Sequence, residues 1–548
     1  MPLLRRSAAG LVAGIAGFSL LLVPGTAEAR ATAPAAAPHV APGTSTHRLT
    51  PKKHFTMTPD GSSGKTEGGD GIPNIDSVKK TIAAYYGDPG TGIADKARSP
   101  YIAELTRIIG KQRKTLAARY LAAKKRGEKP ALVFDTDDTT LFTYDMEVAD
   151  MHFTFSPAEQ DVWVQNQRFP ATPAMVDYVN TAATMGYTIF GLTGRNDNQK
   201  AATLANLRKV GYTAFTSKRF YTKWVAGGRR QPGYVRCVAT CTTVEYKALT
   251  RKHIERLGYD IVANYGDQWS DLQGGHADHA VKLPNPTYYL PSPNLPGVSQ
   301  PRLAPRTRFT MAPDGSSGTK VSGEGIPNID SVKKTIAVYY GDPGTGIADK
   351  NTSPYLSEMK KIVRAQRATL KRRYDRAILG GEKPALVFDA DDTTLFTYDM
   401  EVADMHFTFS PAEQDVWVQE QRFPATPAMV DYVNTAARIG YRVFGLTGRN
   451  ADQEEATLGN LHKLGYRPFT RKTFYTKWTG VGASRQPSYV DCGADAKCST
   501  VEYKSQTRKH IEQLGYTVVA NYGDQYSDLL GGYANHTVKL PNPTYYLP

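Results

Sequence analysis

The stretch Ala131-Leu-Val-Phe134-Asp135-Thr-Asp137-Asp-Thr139 decides the fold. Four apolar residues in a row read as a strand buried on both faces, and two carboxylates two residues apart stand at its exit. The same stretch returns as Ala385-Leu-Val-Phe388-Asp389-Ala-Asp391-Asp-Thr393. A buried strand ending in acidic groups fits an open parallel sheet, where chemistry gathers at the carboxyl ends of the strands.

Outward from this stretch the pattern alternates. Residues 187–192 and 261–263 read as two more buried strands, and residues 101–125, 173–185 and 244–257 as amphipathic helices. Alternating strands and helices point to a doubly wound α/β domain. The chain holds two such domains, because its landmarks recur. Gly71-Ile-Pro-Asn-Ile-Asp76 returns as Gly325-Ile-Pro-Asn-Ile-Asp330, and the ending Val281-Lys-Leu-Pro-Asn-Pro-Thr-Tyr-Tyr-Leu290 returns at 538–547. The period far exceeds that of a solenoid repeat. Asp389 and Thr447 follow Asp135 and Thr193 by 254 residues, whereas Lys504 and Asp524 follow Lys247 and Asp267 by 257. Two of the three added residues fall between the cysteines, as expected of a surface loop.

At 548 residues the chain is long enough for two or three domains, and 40% hydrophobic residues supply real cores. The formal charge of +15, from 67 basic and 52 acidic residues, favours anionic partners such as phosphorylated metabolites, nucleic acid or an anionic cell wall, or is simply a solvated basic surface. Residues 1–29 read as a signal peptide. Arg5-Arg6 precede an apolar run over 8–23, and Ala27-Glu-Ala29 is a small-x-small cleavage site. The expected location is secreted, with cell-wall association as an option, and no membrane span remains after cleavage. Residues 30–53 read as a disordered tether, 54–291 as the first domain, 292–307 as a Pro-rich linker and 308–548 as the second domain. Four cysteines form two local pairs, Cys237/Cys241 and Cys492/Cys498, and in an exported chain each pair reads as a disulfide that pins a loop.

The residues at the strand exits suit phosphoryl transfer. Asp135 can attack phosphorus as a carboxylate nucleophile. Asp137 is placed to protonate the leaving oxygen and then to deprotonate water. A Mg²⁺ ion would reconcile the nucleophile with an anionic substrate. Gly191-Leu-Thr193-Gly-Arg195 follows the second strand, and the Thr193 hydroxyl can donate to a phosphoryl oxygen. Lys247 offers a point charge from a helix start. Asp267 and Asp271, in Gly266-Asp-Gln-Trp-Ser-Asp271, complete an oxygen-rich metal set in which Asp271 ligates directly, acts through water, or orients Lys247. Each motif alone has a plainer reading as a turn, a cap or a solvated lysine. Their order recurs complete as Asp389/Asp391, Thr447, Lys504 and Asp524/Asp528.

In this ordered set the chain resembles the haloacid-dehalogenase-like (HAD) superfamily, and within it the acid phosphatase branch that includes plant-type acid phosphatases and vegetative storage proteins. The resemblance rests on Phe134-Asp-Thr-Asp-Asp-Thr-Thr-Leu141, Leu192-Thr-Gly-Arg195, Tyr246-Lys247 and Gly266-Asp-Gln-Trp-Ser-Asp-Leu272, and covers both repeats. It implies two tandem HAD-like Rossmannoid domains, each a parallel sheet flanked by helices with at most a small cap. It also implies a Mg²⁺-dependent phosphomonoesterase in which Asp135, Asp137, Thr193 and Lys247 are catalytic, as are Asp389, Asp391, Thr447 and Lys504. Asp135, Asp267 and Asp271 would hold the metal with the backbone carbonyl of Asp137, and Asp389, Asp524 and Asp528 with that of Asp391. Storage-type members can lose the nucleophile, and neither copy has.

Other readings stay open. The aromatic stretch 142–163, with His152, serves either as a small cap or pocket wall for a leaving group, or as core packing under a loop. Arg195 and Arg449 serve either to grip a phosphate or leaving group or to form a salt bridge with a neighbouring helix. The expected partners are small phosphomonoesters and no specific nucleic acid. A nucleotidase or phosphotransferase on the same scaffold, and a non-catalytic storage or binding protein, are the alternatives. The duplication permits an internal pseudo-dimer and equally two independent beads. The glycine-rich segments 60–64 and 87–92 lack the Gly-Lys-Ser/Thr ending of a P-loop and read as turns.

Overall fold

A computed structural model describes residues 72, 74–237, 240–288, 290, 328–480, 484–493 and 498–547. The expected signal peptide, the tether, the turn at 60–64 and the linker over 292–307 lie outside the described residues.

In the first repeat, helices α1 (Ile75–Tyr86) and α2 (Pro100–Lys125) lead into β1 (Lys129–Phe134). A five-residue π-helical turn (Met146–Asp150) and α3 (Pro157–Gln165) follow, then α4 (Met175–Met185) and β2 (Thr188–Asn196). Next come α5 (Lys200–Lys209), β3 (Phe220–Trp224), α6 (Thr243–Arg256), β4 (Tyr259–Gly266), the short α7 (Trp269–Leu272) and β5 (His279–Lys282). The second repeat retraces this order: α8 (Ile329–Tyr340), α9 (Pro354–Leu379), β6 (Pro384–Phe388), α10 (Pro411–Gln419), α11 (Met429–Ile439), β7 (Arg442–Asn450), α12 (Glu454–Lys463), β8 (Phe474–Trp478), α13 (Thr500–Gln513), β9 (Thr517–Gly523), α14 (Tyr526–Leu529) and β10 (Thr537–Lys539).

Each repeat builds one parallel five-stranded sheet, ordered β3-β2-β1-β4-β5 and, in the second copy, β10-β9-β6-β7-β8. The strand carrying the acidic pair is central in both, and Lys129 is the only residue of β1 that is not buried. Register assembles the site. Phe134 lies beside Gly191 of β2 and Tyr265 of β4, so Asp135, Thr193 and Asp267 reach the same edge of the sheet. Phe388 lies likewise beside Gly445 and Tyr522.

The expected helices and central strands are present with ends moved by a few residues. One shift matters: β2 runs on to Asn196, so Thr193 lies within the strand rather than after it. A register shift against β3 between Thr193 and Asn196 lets the strand carry a functional side chain without ending. The edge strands β3 and β5, only 5 and 4 residues long, carry no periodic signal that sequence reading could use.

Both sheet faces are covered. On one, Ala131, Val133, Phe190 and Leu192 pack against Tyr246 and Ile254 of α6, and the second repeat has its own equivalent cluster. On the other, Leu132 and Phe134 join a continuous apolar cluster that extends through both repeats. The helices α1 and α8 link the two halves of this cluster and pack on each other. Ile75, Val78 and Ile82 of α1 are fully buried, each contributing roughly 1.5–3 kcal/mol of transfer free energy. The cysteine pairs form the disulfides Cys237–Cys241 and Cys492–Cys498. Among the described residues no helix is long and apolar enough to cross a membrane.

Candidate active site

Asp135 leaves β1 at the centre of the carboxyl edge, its backbone N–H donating to Tyr265 O at 3.0 Å, so the ladder continues one residue beyond the strand. Lys247 reaches it from α6. That helix opens with a capping box, in which Thr242 Oγ1 accepts from Glu245 N and Glu245 Oε2 accepts from Thr242 N. The fixed helix start places Lys247 Nζ 2.6 Å from Asp135 Oδ1 and 2.5 Å from Asp271 Oδ1. Burial alone would lower the Lys247 pKa, but Asp135 and Asp271 outweigh it and raise it, so the ammonium stays charged.

Asp271 approaches because residue 266 is glycine: a Cβ there would lie 2.3 Å from Asp271 Cβ. Its Oδ2 accepts from Gln268 N at 2.8 Å, while the fully buried Arg251 donates to Asp271 O and Gly275 O and fixes the loop behind it. Asp267 Oδ2 accepts from Asn285 Nδ2, Gln268 Nε2 and Tyr288 OH at 2.8, 2.8 and 3.1 Å, and its Oδ1 accepts from Thr139 Oγ1 at 3.3 Å. The carboxylates of Asp135, Asp267 and Asp271 bring oxygens within 4.8 Å of one another, all three groups buried.

Asp137 turns away from this cluster. Arg195 holds it with Nη2 at 2.5 Å from Oδ1 and Nε at 3.2 Å from Oδ2. The guanidinium also donates to Thr203 Oγ1 on α5 and lies over the Phe169 ring. Arg195 thus forms its ion pair with Asp137, which neither sequence reading foresaw, and meets the neighbouring helix through a hydrogen bond to Thr203 rather than through a salt bridge. Thr193 Oγ1 accepts from Arg195 N at 3.3 Å.

Negative charge exceeds positive charge at this edge. Burial, reinforced by Asp271, pushes Asp267 up to about 6; burial and Asp267 push Asp138 up to about 8; burial and Asp271 raise Asp135 well above the ordinary carboxylate range. Such a set of buried oxygen donors fits a small hard cation, whose charge would relieve the mutual repulsion. The fit extends to the surroundings, where Asn285, Gln268 and Tyr288 supply donors that orient Asp267.

The site opens into a pocket of about 250 Å³ with Glu147, Phe155, Lys223, Trp224 and Tyr288 among its walls. The 142–163 stretch therefore provides wall as well as core. His152 is exposed and does not line this pocket. Glu147 is buried, with burial first and then Asp138 raising its pKa.

The second repeat reproduces the arrangement. Lys504 Nζ lies 2.7 Å from Asp389 Oδ1 and 2.5 Å from Asp528 Oδ1, and Arg449 Nη2 lies 2.5 Å from Asp391 Oδ1. Asp524 accepts from Asn542 and Tyr545, and Asp389, Asp524 and Asp528 form the matching buried cluster. Thr447 accepts from Arg449 N.

Sequence reading singled out the acidic pairs, threonines and lysines but missed Asn285, Tyr288, Asp138 and Glu147 as parts of the site. Asn285 and Tyr288 sit in the repeated ending over 281–290, whose recurrence was the available signal. Asp138 adopts φ 48°, unusual for a residue other than glycine, and accepts from Thr143 and Asn285.

A family model described as HAD superfamily, subfamily IIIB (acid phosphatase), matches residues 99–291 and again 346–548. Among curated proteins, a stem 28 kDa glycoprotein of Glycine max is 36% identical over 138 residues, 25% of this chain and 50% of that protein. Acid phosphatase 1 of Solanum lycopersicum is 32% identical over 167 residues, covering 29% of this chain and 58% of its own length. Vegetative storage protein 1 of Arabidopsis thaliana is 29% identical over 163 residues, covering 29% and 55%. The chain thus spans about half the length of the curated relatives it matches. A class C acid phosphatase structure from Bacillus anthracis aligns at 20% identity over 34% of this chain and 80% of that one, with a TM-score of 0.27, a likeness too slight to bear on the fold.

Proposed function

Since the chain belongs to the acid phosphatase subfamily IIIB of the HAD superfamily, we propose that it is a Mg²⁺-dependent phosphomonoesterase with one active site in each repeat. The observation that carries this reading is the division of labour between the two aspartates. Asp135 faces Lys247 and the carboxylate cluster, whereas Asp137 is held apart by Arg195, and both arrangements recur in the second repeat.

In this reading Asp135 attacks phosphorus, and the bond from phosphorus to the leaving oxygen breaks as the aspartyl-phosphate forms. Asp137, oriented by Arg195, delivers its proton to the departing alkoxide. It then takes a proton from the water that attacks the phosphoryl group, releasing inorganic phosphate and restoring Asp135. Thr193 and Lys247 bind the phosphoryl oxygens, and Lys247 also offsets the charge of Asp135. Asp135, Asp267 and Asp271, with the Asp137 carbonyl, would hold the metal, which when bound supplies positive charge to phosphoryl oxygens and nucleophile. The second repeat assigns these roles to Asp389, Asp391, Thr447 and Lys504, with Asp524 and Asp528 in the metal set.

The two sites would share one substrate class. Residues 137–165 are identical in sequence to 391–419, and the wall residues Lys223, Trp224 and Tyr288 recur as Lys477, Trp478 and Tyr545. The two short disulfides favour an oxidising compartment, in keeping with export and scavenging of phosphate from extracellular monoesters. The domain limits 54–291 and 308–548 and the secreted location belong to this proposal. Storage-protein relatives suggest a second, non-catalytic reading, against which the complete acidic pairs of both copies weigh.

The test is hydrolysis of an aryl phosphate with Mg²⁺, with EDTA, and with an added alcohol acceptor. Release of phosphate that EDTA abolishes supports the proposal. Transfer to the alcohol in place of water favours a phosphotransferase, and inertness across a monoester panel overturns the catalytic reading.

A further inference from the structure

The first helix of each repeat holds the other repeat's site. Asn328, at the start of α8 in the second repeat, uses its Oδ1 to cap its own helix, accepting from Asp330 N at 3.0 Å. Its Nδ2 donates to Asn285 O and Tyr288 O of the first repeat, at 3.1 and 2.6 Å. Those are the residues whose side chains orient Asp267. The backbone joins in, with Ile329 N donating to Pro286 O at 2.9 Å.

One turn further along α8, Lys333 Nζ donates to Phe153 O. That carbonyl belongs to an unusual turn: His152 and Phe153 have φ of 49° and 61°, two consecutive side-chain-bearing residues in the left-handed region. Such a conformation is unfavourable for a residue with a side chain and persists only where its surroundings hold it. The turn connects Glu147 to Phe155, both in the pocket wall. Phe153 N donates back to Glu147 O, which ties the turn to the wall.

The relation is reciprocal. Asn74 caps α1 and donates to Asn542 O and Tyr545 O of the second repeat, and Ile75 N donates to Pro543 O. Lys79 Nζ donates to Phe407 O, beside His406 and Phe407 with φ of 48° and 62°. Meanwhile α1 and α8 remain part of their own repeats, since Tyr86 stacks on Tyr144 and Tyr340 lies on Tyr398.

We propose that the two repeats form an intramolecular pseudo-dimer in which each site is completed in trans, Asn328 and Lys333 positioning the first site and Asn74 and Lys79 the second. These are positioning residues, acting through the Asp267 supports and the pocket wall. The activity arm of the test rests on the phosphatase reading; the exchange arm does not.

The experiment uses full-length protein with one site silenced. With Asp389→Asn, only the first site works. Lys333→Met is then expected to raise KM roughly fivefold or more with kcat within about twofold, and Asn328→Asp, which keeps the helix cap, to raise the half-saturating Mg²⁺ concentration by a similar factor. With Asp135→Asn, the same two substitutions leave the second site unchanged, although they lie in its own repeat. Lys79→Met and Asn74→Asp give the mirror pattern, and Lys333→Arg restores the first site. Hydrogen exchange on otherwise wild-type Lys333→Met is expected to quicken in peptides spanning the 152–153 turn and reaching Asn166, while those reaching Glu420 stay protected. Effects confined to the substituted residue's own repeat, equal effects at both sites, or no effect at either would overturn the proposal. If no phosphatase activity exists, the exchange pattern alone decides it.

Discussion

Arg195 and Asp137 form a two-pronged pair across the site, Nη2 to Oδ1 at 2.5 Å and Nε to Oδ2 at 3.2 Å, with the guanidinium almost fully buried. A lysine could supply the charge but not the fork. If the pair orients the general acid, its loss should depend on how much help the leaving group needs. In the Asp389→Asn background, Arg195→Lys is expected to lower kcat/KM by about 10²-fold for an alkyl phosphate and by less than about tenfold for a nitrophenyl phosphate. An equal loss for both substrates would mean that Arg195 serves the phosphoryl group instead.

Lys247 places its ammonium between Asp135 and Asp271. Lys247→Met would leave two buried carboxylates facing each other, a change that costs roughly 3–5 kcal/mol where a buried pair loses one partner. The penalty should be greatest at neutral and higher pH and shrink in acid as the carboxylates protonate. Millimolar Mg²⁺ should restore part of the loss. Thermal melts across pH with and without Mg²⁺ check this, and a penalty indifferent to both would remove Lys247 from the charge balance of the site.

Glu147 and Glu401 are buried carboxyls whose pKa values are raised, by burial first and then by Asp138 or Asp392 and Asp137 or Asp391. Asp330 and Lys333 face Glu147 from the other repeat, and Asp76 and Lys79 face Glu401. A carboxyl raised on folding favours the folded state below its unfolded pKa, and that contribution is lost as pH rises through the folded value. The double variant Glu147→Gln/Glu401→Gln should therefore melt higher than the wild type near pH 7–8, with the difference vanishing toward pH 4 and below. Melting curves that keep a constant gap over this range would contradict the assignment.

The sequence revealed the central strand, the order of the motifs and the duplication because these are local patterns: an apolar run, a carboxylate spacing, a repeated phrase. It left open the partner of Arg195, because a contact between positions 58 apart is set by sheet register and not by any nearby residue. Asn285 was visible only as part of a repeated ending, since its role arises from meeting Asp138 and Asp267 in space. The hold of Asn328 on the first repeat was hidden for the same reason. Its local signature is that of an ordinary helix cap, and its second set of hydrogen bonds belongs to the tertiary structure.

The central claim is that both repeats are phosphatases that use Asp135 and Asp389 as nucleophiles. The most direct measurement is Mg²⁺-dependent hydrolysis of an aryl phosphate by the wild type, Asp135→Asn, Asp389→Asn and the double variant. The account predicts that each single variant keeps about half of the wild-type kcat with KM little changed, and that the double variant falls by at least about 10³-fold. Complete loss in either single variant, or substantial activity in the double variant, would contradict it.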